Sequence, residues 1–379
     1  MTPLFKDWQP HRHKKEYLDL GQPLTTTHAD GAFVYCDNKE YIDFVMGWGT
    51  IILGHSDQGI ARVISKHLNE PLIVNNHTDI ELSVASSLSN FYNGNYDVSF
   101  FMNGSDVTTS AVRVSRALTK KKKVLFLGYH GWHDWAQPEA SGVINQATKY
   151  SSSLKHAADD IYSEIEKQAD QLACVILETP LKVEKARDVL IKIKTLSQKH
   201  GFILVFDEIK TTMRCGFAYG RDVYGVDADI VLLGKACAGG LPLSIMLTDK
   251  KIAESVQGTR LIGSYWGSPM SLHVFEYLFN LSHERDIVLE LESKGINFRN
   301  AFNRMFMERG IPISLSGHAT MPVMEFDSES IDILKFYKLC FKHGIYIRMP
   351  PHCWFLSLSH TQELCQEAID RFGRVAEEL

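Results

Sequence analysis

The chain has 379 residues, 45% of them hydrophobic, enough to bury at least one large core and to form two or three domains. Its 45 acidic and 40 basic residues leave a formal charge of −5, without the broad basic field that nucleic acid or an anionic membrane attracts. Seven cysteines occur singly, with no Cys-x-x-Cys pair, which argues against a disulfide framework or a zinc knuckle and favours a reducing, cytoplasmic compartment.

The segment from Met1 to Trp8 lacks the apolar stretch of a signal peptide, and no run of about 18 uncharged apolar residues follows, so no membrane insertion is expected. Residues 30–35 and 37–42 read as a hairpin with turn residues between them. Short apolar runs then recur at 98–102, 124–127, 174–177, 202–206, 230–233 and 244–248, the pattern of buried strands. Helical periods lie between them, at Val107, Ala111, Val114 and Leu118 and at Val189, Ile193 and Leu196, the latter closed by Gly201 as a C-cap. The lysine run 120–123 falls between a helix and a strand and reads as a solvated loop. The last hundred residues mix helices and short strands and end in a helix with Thr361 as N-cap.

This alternation predicts an α/β fold: a large, doubly wound, mostly parallel sheet domain over residues 51–270. An amino-terminal arm (1–50) and the carboxy-terminal segment (271–379) together form a smaller α+β domain. Ligands of such sheets lie beyond the carboxyl ends of the strands, which selects four places. At Asn103-Gly104-Ser105-Asp106 a strand turns into a helix whose free amides and Ser105 hydroxyl can hold a phosphate, although the same residues make an ordinary turn and cap. At Gly128-Tyr129-His130-Gly131-Trp132-His133, Tyr129 can stack on a flat ring or simply line the core edge. The two histidines there also suggest a metal, but no carboxylate or cysteine set accompanies them at ligand spacing, and no metal site is read.

At Asp207-Glu208-Ile209 a strand delivers two adjacent carboxylates to opposite faces, so only one can meet a given ligand. A protonated ring nitrogen and Mg²⁺ are equal competitors for it. At Gly234-Lys235 a lysine ends an apolar strand before a Gly-Gly-Leu-Pro bend, where desolvation lowers its pKa and frees the amine for Schiff-base chemistry. A phosphate cradle, a stacking ring, a carboxylate and an amine together make the set that pyridoxal 5′-phosphate (PLP) requires.

Over nearly its whole length the chain resembles the class III aminotransferases of PLP fold type I, in the branch typified by glutamate-1-semialdehyde 2,1-aminomutase. The four places carry the resemblance, with residues 47–55, Gly263-Ser264-Tyr265-Trp266-Gly267-Ser268-Pro269, residues 344–347 and residues 355–361. The resemblance implies that Lys235 forms the internal aldimine and Asp207 pairs with the pyridinium nitrogen. It implies Tyr129 and Ile209 on the two ring faces, and Gly104, Ser105 and Asp106 at the phosphate. Ser264 would come from the neighbouring subunit of an obligate homodimer with composite sites. Two departures bear on substrate. Residues 18–23 lack the arginine of the aminomutase's Asn-Ser-Pro-Val-Arg stretch, and Leu181-Lys182-Val183-Glu184 replaces a Gly-Asn-x-Gly loop. The expected activity is therefore transfer of an amino group from an amino donor to a keto or aldehyde acceptor, such as a sugar or secondary-metabolite precursor. Trp48 is a candidate substrate wall and Arg348 a candidate carboxylate or hydroxyl clamp, with a plain surface arginine as the alternative. An intramolecular aminomutase and a non-catalytic PLP-fold protein are the other two readings.

Overall fold

The computed structural model describes residues 25–36, 38–154, 158–180, 185–254, 258–348 and 352–379; the departures at 18–23 and 181–184 lie outside them. Two units divide the chain, one made from both termini (up to Arg62 and from Glu284) and one continuous from Val63 to His283.

In the terminal unit, strands β1 (Thr26–Asp30), β2 (Phe33–Cys36) and β3 (Lys39–Asp43) form an antiparallel meander, extended in parallel by β13 (Ile345–Tyr346). The expected hairpin is the β2–β3 pair. A two-stranded ribbon joins β11 (Ile313–Ser316) to β12 (Val323–Phe326). The helices of this unit start where side chains cap them. Asp286 accepts from the Leu289 amide before Ile287–Glu308, Asp332 from Leu334 and Lys335 before Ile333–Lys342, and Thr361 from Leu364 before Gln362–Glu378. Their apolar faces meet in an aromatic core. Trp354 lies nearly parallel to Phe372 with ring centroids 5.6 Å apart, and Phe302 stands edge-on to Phe372 at 5.0 Å.

The continuous unit holds a seven-stranded sheet of β4 (Tyr96–Phe101), β5 (Lys123–Leu127), β6 (Ser151–Ser153), β7 (Leu172–Glu178), β8 (Ile203–Asp207), β9 (Ile230–Leu233) and β10 (Ser244–Asp249). Their spatial order is β4-β10-β9-β8-β7-β5-β6. All run parallel except β10, which is antiparallel to both its neighbours. The central strands β7 and β8 are unbroken apolar runs because helices cover both faces of such a sheet. The crossover helix Ala186–His200 ends as expected, Gly201 adopting φ 66° and returning its amide to Ser197. The helix Pro269–Glu284 packs Phe279 against Phe217 (5.1 Å) and Phe91 (5.8 Å), and so stays with the sheet. The observed divisions accordingly fall after residues 62 and 283, each later than the expected 50 and 270.

Candidate active site

Four strand ends of the sheet unit converge, and local sequence explains each. After β4, Asn103 takes an extended conformation (φ −151°), and its side chain accepts from the Asp106 amide at 3.0 Å. This starts helix α1 (Gly104–Thr119), whose first amides have no partner within the helix and carry the positive end of its dipole. The Asp106 amide is already used by the cap, so Gly104 and Ser105 are the better anion donors.

The loop after β5 is pressed onto that helix. Gly131 has φ 99°, and a Cβ there would lie 2.4 Å from the Ser105 hydroxyl and 2.9 Å from its Cα, so only glycine lets the loop pass. The Trp132 amide donates to Ser105 Oγ at 3.2 Å, and the Thr108 hydroxyl donates to the His130 carbonyl at 2.7 Å. Tyr129 remains 60% exposed, with a ring face available, while its amide is held by Glu178 at 3.2 Å.

His130 is buried between two acceptors. Its Nε2 lies 3.1 Å from the Leu127 carbonyl and its Nδ1 2.7 Å from Asp207 Oδ2. A carbonyl only accepts, so Nε2 carries a proton and the Nδ1–Oδ2 contact holds another. The other Asp207 oxygen accepts from the Ile209 amide at 3.1 Å. Glu208 leaves the strand on the opposite face, where the amides of Tyr219 and Gly220 donate to it at 3.0 and 2.7 Å. Burial pushes its carboxyl up to about 7, against the pull of those two amides. The two neighbouring carboxylates thus do not converge, which removes the second oxygen an Mg²⁺ ion would want from this motif.

At the end of β9, Gly234 is extended and Lys235 turns to φ 46°, a conformation costing about 1–3 kcal/mol in a non-glycine residue and typical of functional sites. Ile209 ties this end to α1: a Cβ on Gly234 would stand 3.0 Å from Ile209 Cγ2, and one on Gly104 3.3 Å from its Cδ1.

Sequence reasoning passed over two partners here. His130 appeared only as an aromatic or possible metal ligand, whereas it is the residue that fixes Asp207. Glu178 closes β7, so the strand-end rule that chose the other four places could have found it. Its ion pair with Lys210, at 2.5 Å, was beyond sequence reach. Burial acts to raise the Glu178 carboxyl, but Lys210, aided by the fields of His130 and Lys235, holds it below its ordinary value. Ser264 lies apart from this network in the exposed turn of residues 264–267.

In the terminal unit, the Arg348 guanidinium lies over the Trp48 ring at 4.4 Å, and Trp48 meets His352 edge-on at 5.6 Å. Arg348 is 5% exposed, which rules out the surface-arginine alternative.

The profile of the aminotransferase class-III family matches residues 18–375. The chain belongs to the class-III aminotransferase family. Among its relatives is a glutamate-1-semialdehyde 2,1-aminomutase of Methanosarcina acetivorans, 25% identical over 92% of this chain and 91% of that protein. Another is a 3-aminobutyryl-CoA aminotransferase of Cloacimonas acidaminovorans, 25% identical over 90% of this chain and 86% of that one. Among solved structures, the FumI protein of Sphingopyxis sp. MTA144, in its PLP internal aldimine form, superposes with a TM-score of 0.86. It is 21% identical and the match covers 94% of this chain and 89% of that one. The fold is that of PLP-dependent transferases of fold type I, the cofactor is PLP, and the enzyme is an aminotransferase of class III, as the resemblance implied. Among the described residues, no helix is long and apolar enough to cross a membrane.

Proposed function

We propose that the chain transfers an amino group between two different small molecules, an amino donor and a keto or aldehyde acceptor, at the four converging strand ends. The observation that carries this is the arrangement of Asp207, Ile209, Gly104 and Gly234-Lys235 about one point, with His130 locking the carboxylate. These residues suit PLP. The start of α1 at Gly104 and Ser105, with Asp106 adjoining, takes the phosphate, Tyr129 and Ile209 hold the ring faces, and Lys235 meets the aldehyde. PLP, when bound, supplies the electron sink for carbanion chemistry. Asp207 keeps a proton on the ring nitrogen, and its own charge is kept in place by His130 and the Ile209 amide. The Lys235 amine, once freed, moves a proton between the substrate carbon and the cofactor's C4′.

The enzyme acts as a cytoplasmic homodimer, without nucleic-acid or membrane partners. Ser264 of each subunit completes the phosphate site of the other, and exposed Ile262 and Tyr265 beside it support a contact surface there. Trp48 and Arg348 are the proposed substrate contacts, supported by the chemistry of a buried guanidinium stacked on an indole. The acceptor is a sugar or secondary-metabolite carbonyl. A second reading, intramolecular aminomutase, is favoured by the named relatives of that activity. The third, a non-catalytic protein, is opposed by the retained Lys235, Asp207 and His130.

A panel of amines added to the PLP-loaded enzyme without acceptor distinguishes the three. Bleaching of the cofactor band with one equivalent of free keto product from the donor is the expected result. Bleaching without free keto product means the aminomutase, and an unchanged spectrum with every amine sinks catalysis altogether.

A further inference from the structure

Beside Asp207 the strand ends hold a second pair of charges. Glu178 closes β7 and Asp207 closes β8, and the two are direct partners in the parallel ladder, so their side chains leave the sheet on the same face. Two anions side by side repel, and each has its own compensation. Asp207 has His130 and the Ile209 amide. Glu178 has Lys210, whose Nζ lies 2.5 Å from Oε1, and the Tyr129 amide, which donates to Oε2 at 3.2 Å. The loop after β5 presses on the same side chain: a Cβ on Gly128, at φ 108°, would lie 2.4 Å from Glu178 Cβ and 2.6 Å from its Oε2. The carboxylate therefore has little freedom to move.

Both members of the pair are mostly buried, Glu178 at 18% and Lys210 at 19% exposed. A buried ion pair adds little to stability, because two apolar side chains of the same volume often serve as well. Its charges act instead on what lies near. The charged and titratable groups around Glu178 are His130 and Tyr129 after β5, Asp207 and Lys210 at and after the end of β8, and Lys235 after β9, while Glu208 points to the opposite face. Burial acts to raise the Glu178 carboxyl, Lys210 holds it down, and the field of Lys235 adds to that pull. By reciprocity, the Glu178 anion favours the charged form of Lys235.

We propose that Glu178 and Lys210 together set how firmly the Lys235 nitrogen holds its proton, Glu178 strengthening the hold and Lys210 weakening it. The inference rests on the reading that Lys235 meets the PLP aldehyde and moves the proton. That role places two opposed demands on one nitrogen. Joined to the aldehyde carbon, it must carry positive charge to open that carbon to an incoming amine; once freed, it must be neutral to accept the substrate proton. A lone carboxylate beside it meets the first demand and defeats the second. A lone ammonium does the reverse, and the pair balances the two. Glu178 and Lys210 are thus positioning residues for a proton, acting through Lys235.

The test is a pH titration of the cofactor band in the PLP-loaded protein, whose midpoint reports the proton on Lys235. Glu178→Gln keeps the shape and an acceptor for the Tyr129 amide but removes the anion, and the midpoint should fall by at least about half a pH unit. Lys210→Gln keeps a donor for Glu178 but removes the cation, and the midpoint should rise by about as much. The double variant and Lys210→Arg should both lie close to wild type. A role in packing alone has no reason to give opposite signs. Shifts of the same sign, or no shift in either single variant, overturn the inference. If Glu178→Gln does not fold or loses PLP, Lys210→Gln against Lys210→Arg carries the test, and equal midpoints in those two overturn it. Failure of the underlying reading looks different: Lys235→Ala would then show the same titrating band as wild type, whatever the two charges do.

Discussion

Asp207 at the strand ends of the sheet unit and Phe302 in the aromatic core of the terminal unit are both buried, but a buried side chain does different work in each. Asp207 has two specific partners, the His130 ring and the Ile209 amide, and is defined by direction. Phe302 has Phe306 at 4.7 Å and Phe372 at 5.0 Å and is defined by volume. In the first region a substitution is expected to harm chemistry out of proportion to stability, and in the second the reverse.

Replacement of Lys235 by alanine is the sharpest form of that contrast. Amino transfer should fall at least about 10²–10⁴-fold, the ordinary worth of a positioned proton carrier, with little change in unfolding midpoint. Equal loss of stability would erase the distinction between the regions. Phe302→Ala should do the opposite, costing about 3–5 kcal/mol of unfolding free energy in denaturant titration while the folded fraction keeps its cofactor spectrum. His130→Ala falls between the two. It removes a hydrogen bond to a buried carboxylate, worth about 1.5–3 kcal/mol, and should appear as weaker retention of PLP measured by equilibrium dialysis. Unaltered retention would demote His130 to packing.

The smallest effect concerns Glu208, the neighbour of Asp207 that faces away. Its folded carboxyl is raised from 4.5 to about 7, so the folded state binds its proton more tightly than the unfolded chain does. Its contribution is therefore complete below about pH 4.5 and is lost as pH rises towards 7. Wild type should lose about 1 kcal/mol relative to Glu208→Gln between about pH 5 and about pH 6, by calorimetric comparison of the two proteins. A pH-independent difference would mean that the two amide donors already hold the anion.

Legibility in the sequence follows the same division. Six sheet strands were visible as apolar runs, most clearly the inner ones β7, β8 and β9, where a sheet covered on both faces has no polar face to blur the run. The seventh, β6, is Ser151, Ser152 and Ser153, an edge strand with no apolar signal. Asp207 and Lys235 could be singled out because each ends an apolar run, but the His130–Asp207 and Glu178–Lys210 pairs join separate strand ends and required coordinates. In the terminal unit the capping residue Thr361 was visible, whereas the meeting of Phe44 with Phe298, at 5.0 Å, joins segments some 250 residues apart with no local pattern to announce it.

The most direct measurement of the central claim is chemical trapping. The PLP-loaded protein is reduced with borohydride, digested, and its pyridoxyl-bearing peptide sequenced by mass spectrometry. The modified residue should be Lys235, in one equivalent per chain; the label on Lys210 or on any other lysine, with Lys235 unmodified, would contradict the assignment.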